Sequence, residues 1–453
     1  MLQLFCCFWL FCLVPDLRSA IAEKASATPK QAVTTNRIPD SGLSEKPVGN
    51  PSSVRTNAGY LNRNPTPAGL RMELGIDVLA AQQFGILKGK RVGLITNPTG
   101  VNREGRSTIE ILKNAPGVNL VALFAPEHGI DGTIKAGDPV SETVHPATGL
   151  PVFSLYGKTR VPTRAMLKGL DVLVYDLQDV GCRSYTFIST MGLAMQACGA
   201  ARVEFVVLDR PNPVGGLRVE GPTLNPRFKS FIGQWPIPYS YGMTCGELAR
   251  MIQGERWITN TCKLTVIKMK GWSRTMSWKE TGLKWIPPSP KIQTSQTPLY
   301  YASTGMLGEI GGVQIGMRFG RPFETVTAPW LNAKIFSQKM NSYGLPGVLF
   351  VPFTTNLNQF VQQGARIVFT NPSKAPLTAI NFYVLETVKS LAGRDLFAEA
   401  LKDGRDFTMF DKANGTDSTR KDLQKNRSAK RIVQSWEKGE KQFTQARRPY
   451  LLY

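Results

Sequence analysis

From about Leu70 onward, short apolar runs alternate with stretches of helical periodicity. Residues 91–97, 118–124, 151–155, 171–176 and 204–209 are nearly continuous in Val, Leu, Ile and Phe, the pattern of strands buried on both faces of a parallel sheet. Between them, 107–113, 163–167 and 184–201 carry the period of helices. Strand and helix in alternation predict a doubly wound α/β sheet over residues 70–234. Around 221–235 the chain turns to Pro, Gly and aromatics, which sets a boundary near Gln234. Beyond it, Thr244-Cys245-Gly246-Glu247 is a capping box opening a helix to about Gln253. Strand-like 264–269, 348–351 and 366–370 and a helical 377–391 predict a smaller mixed α+β domain over 235–453.

The amino-terminal part differs in kind. Residues 2–14 are apolar and precede Ala20-Ile21-Ala22, the small-residue pattern of a signal peptidase site, so 1–22 is expected to be a signal peptide. The apolar block is too short to span a bilayer. Residues 23–69 are rich in Ala, Ser, Thr, Pro, Asn and Lys and are expected to be a flexible linker. Export to the periplasm or beyond follows. Four cysteines lie outside the leader, Cys182, Cys198, Cys245 and Cys262, and three pairings are open to them. Only two histidines are present, neither beside a cysteine pair, so the usual zinc ligand sets cannot be assembled locally. No metal or cofactor is expected. With 55 Lys and Arg against 33 Asp and Glu, the net charge is +22, which calls for an anionic surrounding. No nucleic-acid motif accompanies it, and an acidic wall polymer or membrane surface suits an exported chain better. The densest basic stretch, 420–448, reads as a solvated helix face.

The candidate chemistry lies where the strands stop. The second run ends in Phe124-Ala125-Pro126-Glu127-His128-Gly129, with one of the two histidines beside a glutamate. The first ends at Thr96-Asn97-Pro98-Thr99-Gly100. A later one ends at Asp176-Leu177-Gln178-Asp179-Val180-Gly181, followed by Arg183 and Tyr185. The last gives Asp209-Arg210-Pro211-Asn212-Pro213, with Glu220 shortly after. In a parallel sheet these ends share one edge, so distant groups converge on one crevice. Several carboxylates with amides, arginines and a tyrosine are what a glycosidase uses to cleave a sugar bond and hold sugar hydroxyls. Each group also has a structural reading, Asp176 and Asp209 as caps and Arg183 and Arg210 as their ion-pair partners. The first turn has neither G-x-G-x-x-G nor a G-K-[ST] ending, against a nucleotide site, and no G-x-S-x-G elbow marks a serine hydrolase.

These motifs resemble a known family, the exo-β-N-acetylmuramidases of the NamZ (YbbC-like) type. The similar stretches are 93–100, Pro126-Glu127-His128-Gly129, 148–157, 176–181, 208–213, 242–249, 287–290, 321–323 and the closing Tyr450-Leu451-Leu452-Tyr453. The resemblance implies a Rossmann-like domain and a smaller C-terminal domain with the active cleft between them, and removal of N-acetylmuramic acid from non-reducing ends of peptidoglycan fragments. It places the acid/base residue at Glu127, the adjacent histidine at His128 and the catalytic loop at 176–181, and leaves the partner carboxylate open among Asp179, Asp176, Asp209 and Glu220. The chain departs where the family has Asp (His145 here), His (Tyr241 here) and Asn (Lys291 here), and in the pieces 309–312 and 316–319. The altered second-domain pieces bear on the sugar subsite rather than on the chemistry.

The expected function is thus an exo-acting, metal-independent glycoside hydrolase. Asp179 and Asp176 join Glu127 and His128 as catalytic candidates; Asn97, Gln178, Arg183, Tyr185, Asp209, Arg210, Asn212 and Glu220 are substrate-binding candidates. Arg183, Arg210 or Arg318 would meet the lactyl carboxylate of muramic acid with a bidentate fork. The competing readings are a non-catalytic wall-binding protein of the same fold and a glycosidase of altered sugar specificity.

Overall fold

The computed structural model describes residues 72–453. The expected leader (1–22), the whole of the expected linker (23–69) and the first residues of the folded part lie outside them. β1 (Arg91–Thr96), β2 (Asn119–Ala125), β3 (Thr143–Val144), β4 (Pro151–Ser154), β5 (Val172–Asp176), β6 (Glu204–Leu208) and β7 (Leu264–Ile267) form one sheet in the order β3-β4-β2-β1-β5-β6-β7. All pairings are parallel except that of the edge strand β3 with β4. The strands are laid outward in both directions from β1, so the winding reverses between β1 and β5. In such a sheet the crevice opens at the carboxyl ends beside that reversal.

The alternation of side chains along each strand builds two cores. Val172 and Val174 of β5 face one side, with Val92, Leu94, Val206 and Leu208. There α1 (Gly75–Ala81) and α2 (Thr108–Asn114) cover them through Ile76, Leu79, Ile109 and Leu112. Leu173 and Tyr175 face the other side, with Ile95, Phe205 and Val207. Helices α3 (Arg164–Leu167), α4 (Phe187–Ala201) and α5 (Cys245–Gly254) pack there. Each such side chain, fully buried, contributes roughly 1.5–3 kcal/mol, which is why these runs are nearly continuous in apolar residues.

The second region holds α6 (Thr297–Gly308), β8 (Thr325–Ala328), α7 (Ala333–Ser342), β9 (Val348–Leu357), β10 (Phe360–Phe369), α8 (Leu377–Ala392), α9 (Leu396–Lys402), α10 (Thr408–Asn414), α11 (Ser418–Gln424) and α12 (Ala429–Ala446). Its antiparallel sheet runs β8-β10-β9. Phe336, Ile367, Phe382, Val388 and Phe410 belong to the same continuous core as the α4–α5 side of the large sheet. The fold is therefore the Rossmann-like doubly wound α/β sheet with a smaller α+β region that the strand pattern and the resemblance imply.

Three expectations differ in position. Residues 264–267, expected as a strand of the second region, pair instead with β6 as the last parallel strand, after the crossover helix α5. The aromatic stretch at the expected boundary packs inward, with Trp235, Ile237, Tyr239 and Tyr241 all sunk in the core. Helix α4 begins at Phe187 rather than near 184, and the hydroxyl of its N-cap residue, Thr186, turns to Glu127 rather than to the helix. The basic stretch does include a solvated helix, α12, which buries Ala429, Ile432, Trp436 and Phe443 along one face, yet Arg420 and Arg447 within it are buried. Cys182, Cys198, Cys245 and Cys262 are all free and buried. Among the described residues no helix is long and apolar enough to cross a membrane.

Candidate active site

Glu127 stands just past the end of β2 and is buried. Both its oxygens act as acceptors: Oε1 receives the backbone N–H of Gly137 at 2.9 Å and Oε2 the hydroxyl of Thr186 at 2.6 Å. His128 follows in the left-handed backbone region at φ 75°, a conformation costly for a residue with a Cβ and one that persists where surrounding contacts impose it. Its Nδ1 donates to the carbonyl of Ile134 at 2.8 Å, which leaves Nε2 as an acceptor in the neutral ring. The imidazole centroid lies 6.4 Å from the ring of Tyr185.

Across β1, the turn after β5 supplies Gln178, Asp179 and Tyr185. Asp179 Oδ2 accepts the Gly181 N–H at 2.7 Å and the Tyr241 hydroxyl at 2.5 Å. Gly181 sits at φ 79°, and a Cβ there would stand 2.2 Å from Asn212 Oδ1, so the turn that aims this N–H requires glycine. Burial pushes the Asp179 carboxyl up to about 7, against the pull of Tyr241 and the Gly181 and Val180 amides. The Gln178 amide nitrogen donates to the carbonyls of Asp179 and Pro211. Three buried atoms here, Asp179 Oδ1, Gln178 Oε1 and the Tyr185 hydroxyl, have no hydrogen-bond partner among the described residues. The Tyr185 hydroxyl lies within electrostatic reach of both Asp179 and Glu127, with Ser289 beside it.

The second region contributes the opposing wall. Tyr301 of α6 packs edge-on to Tyr185 with centroids 6.0 Å apart, and its hydroxyl pairs with Ser184 at 2.9 Å. Tyr301 also faces Glu127 and Glu309. Glu309, at the end of α6, is partly buried, and burial raises its carboxyl to about 7. No hydrogen bond or ion pair to a described residue engages its carboxylate.

The other candidates gather on the same edge but hold the scaffold. Asp176 is fully buried, bridged to Arg210 at 2.5 Å and accepting from Thr108 at 2.6 Å, which removes it from the reach of a sugar. Arg210 is closed by that bridge and by the Val101 carbonyl. Asp209, expected to bind substrate, instead accepts from Thr244, Gly246 and Tyr453 and anchors the start of α5; burial lifts it to about 6. Arg183 is not a ligand fork: it is fully buried and donates to the carbonyls of Pro222, Ile237 and Ala413. Asn97 bonds Thr99 and the Pro288 carbonyl, and Asn212 bonds Val214 and Met243. Glu220 lies apart, paired with Arg218 and with the Thr378 amide. Arg318, by contrast, is exposed and makes no hydrogen bond or ion pair with a described residue. The residues not anticipated as part of the site are Thr186, Tyr241, Ser289, Tyr301 and Glu309. Of these, Tyr241 and Glu309 stood in the sequence at departures from the family pattern and Ser289 within the family-like stretch 287–290. Among the described residues no group of three or more His, Cys, Asp or Glu is placed to hold a metal ion.

Carboxyl groups of contrasting environment, with an amide, an imidazole and phenols, at the carboxyl edge of a doubly wound sheet make a hydrolytic site of glycosidase composition. Residues 92–296 match the N-terminal family model of exo-β-N-acetylmuramidase NamZ, and 299–453 match the C-terminal one. The chain is 40% identical over 397 residues, 86% of its length and 94% of the relative's, to the peptidoglycan β-N-acetylmuramidase NamZ of Bacillus subtilis (strain 168). Two crystal structures of DUF1343 family proteins from Bacteroides fragilis are similar. One has 44% identity and TM-score 0.79 over 85% of this chain and 100% of that one. The other has 31% identity and TM-score 0.65 over 84% and 99%. The chain belongs to the exo-β-N-acetylmuramidase NamZ family and is a glycoside hydrolase.

Proposed function

We propose that this protein removes N-acetylmuramic acid from the non-reducing ends of peptidoglycan fragments, by acid/base catalysis between Asp179 and Glu127. The observation that carries the reading is a set of three buried atoms without a hydrogen-bond partner among the described residues, Asp179 Oδ1, Gln178 Oε1 and the Tyr185 hydroxyl, the last within electrostatic reach of Glu127. A buried polar atom without a partner costs about 1–3 kcal/mol, and such clusters persist where a ligand's own groups complete them. A pyranose ring with its hydroxyls, acetamide and glycosidic oxygen offers donors and acceptors to such atoms.

The roles follow from the environments. Asp179, raised by burial to about 7, keeps a proton up to the neutral range and leaves Oδ1 without a partner among the described residues, so it supplies the proton to the departing glycosidic oxygen. Glu127, whose two oxygens receive donors, is the carboxylate that supports positive charge at the anomeric carbon and the attack on it. This reverses the expectation that Glu127 is the acid. His128 Nε2 and Gln178 Oε1 take sugar hydroxyl or amide hydrogens. With Arg183 and Arg210 closed, Arg318 is the cation left for the lactyl carboxylate. The apolar leader and the +22 charge support an exported enzyme working against an anionic wall.

A chromogenic muramide tests the proposal. The intact protein should release N-acetylmuramic acid, and Glu127→Gln and Asp179→Asn should each lower kcat by at least about 100-fold, the scale of acid/base catalysis, while the substrate still binds. Binding without release by the intact protein would refute it. Full turnover by either variant would remove that residue from its role.

A further inference from the structure

We infer that Tyr241 is a positioning residue that fixes Oδ1 as the proton-bearing atom of Asp179. The inference deepens the proposed reading and rests on it only where activity is the readout. Oδ2 of Asp179 is saturated by two donors of different origin, the Gly181 N–H at 2.7 Å and the Tyr241 hydroxyl at 2.5 Å. A carboxyl oxygen that receives two donors has no room to carry a hydrogen, so the acid's proton resides on the other oxygen. That other oxygen, Oδ1, is the one without a hydrogen-bond partner among the described residues. The Gly181 contact is intrinsic to the turn after β5. Tyr241 is the contact brought from elsewhere, and its placement is rigid.

The backbone around Tyr241 is held from the far end of the chain. Arg447, just past α12, donates to the carbonyls of Tyr241 at 3.0 Å and Gly242 at 2.6 Å. Ser240 bridges both Glu220 and Cys182. The phenol is itself fully buried, so its hydroxyl has no competing water and turns to Asp179. The groups that face Asp179 are hydroxyls and thiols: Tyr175 on β5, Cys182 and Tyr185 in the following turn, Tyr241, and Cys245 at the start of α5. No Lys, Arg or His among the described residues pulls on it, so the Tyr241 hydroxyl is the strongest single influence opposing burial. Loss of that hydroxyl frees Oδ2, lets the proton exchange between two oxygens and weakens the hold on the ionised form.

The test uses the intact protein with its aspartate side-chain carboxyls labelled with carbon-13, the Asp179 signal being the one absent from Asp179→Asn. In the parent protein this carbon should titrate near pH 7. In Tyr241→Phe, which keeps the ring and its packing, the midpoint should rise by roughly 0.5–1 pH unit, the scale of one lost hydrogen bond to the charged form. The alkaline limb of kcat/KM should rise by the same amount. Tyr241→His, which returns a donor, should bring the midpoint back toward the parent value, and it serves equally should the phenylalanine variant fold poorly. An Asp179 midpoint unmoved in Tyr241→Phe overturns the inference. A midpoint that moves while the kcat/KM limb stays put upholds it and instead removes Asp179 from the acid role.

Discussion

Three aspartates within 34 positions of one another show how neighbours decide what a carboxyl group can do. Asp176 meets a guanidinium and a threonine hydroxyl and is sealed in the sheet edge. Asp209 collects three donors from α5 and from Tyr453. Asp179 has its donors on one oxygen alone, and the other is buried without a partner among the described residues. Sequence gives all three the same appearance, an aspartate after an apolar strand, because strand pattern reports burial and not which partner a side chain meets. The arginines divide in the same way. Arg183→Met should strip the donor from three buried carbonyls at about 1–3 kcal/mol each, a loss of at least about 3 kcal/mol in urea unfolding, with little change in KM for the folded fraction. Arg318→Ala should do the opposite, leaving stability intact and raising KM for muramyl substrates several-fold more than for N-acetylglucosaminyl ones. Equal KM effects on the two sugars would show that Arg318 does not read the lactyl group.

At the scale of elements, periodicity located nearly every strand and helix of the large sheet and the Thr244 capping box of α5, where Thr244 accepts from Glu247 N. It failed where local pattern and tertiary partner disagree. β7 is a short strand after a helix, like any other member of the sheet, but its mate is β6, across a stretch whose Pro, Gly and aromatics read as a boundary and whose aromatics are core. The β9–β10 hairpin is longer than expected because its turn is Asn358-Gln359, both at positive φ, where an Asn-Gly pair would have announced it. The last residue also ties elements together: the Tyr453 hydroxyl donates to Asp209 at 2.7 Å and accepts from Met269 N at 2.9 Å. It thereby locks the ends of β6, β7 and α5. Tyr453→Phe should cost about 1–3 kcal/mol, the toll of orphaning buried groups, seen as a lower urea midpoint at unchanged slope. A midpoint equal to the parent's would mean that Asp209 finds another donor.

For the whole molecule, the site's chemistry sets the direction in which stability changes with pH. Burial raises Asp179, Glu309 and Glu440 to about 7 and Asp209 to about 6, whereas the unfolded chain releases those protons near the ordinary carboxyl values of about 4. Between those limits the folded state binds more protons than the unfolded one, so stability falls as pH rises. Glu204 and Asp417 are shifted the other way by their lysines, but their contribution is lost only as pH falls into the acidic range, and it is complete by pH 5. From pH 5 to pH 8 the raised group therefore wins, and the protein should unfold at lower urea concentration at pH 8 than at pH 5. Asp179→Asn, which has no proton to lose, should flatten part of that slope, and Glu309→Gln another part. A profile level or rising across this range, or variants that leave it unchanged, would show that these carboxyls are ionised in the folded state at neutral pH. The proton assigned to Asp179 would then not be there to give, so the stability profile bears on the catalytic reading without any substrate present.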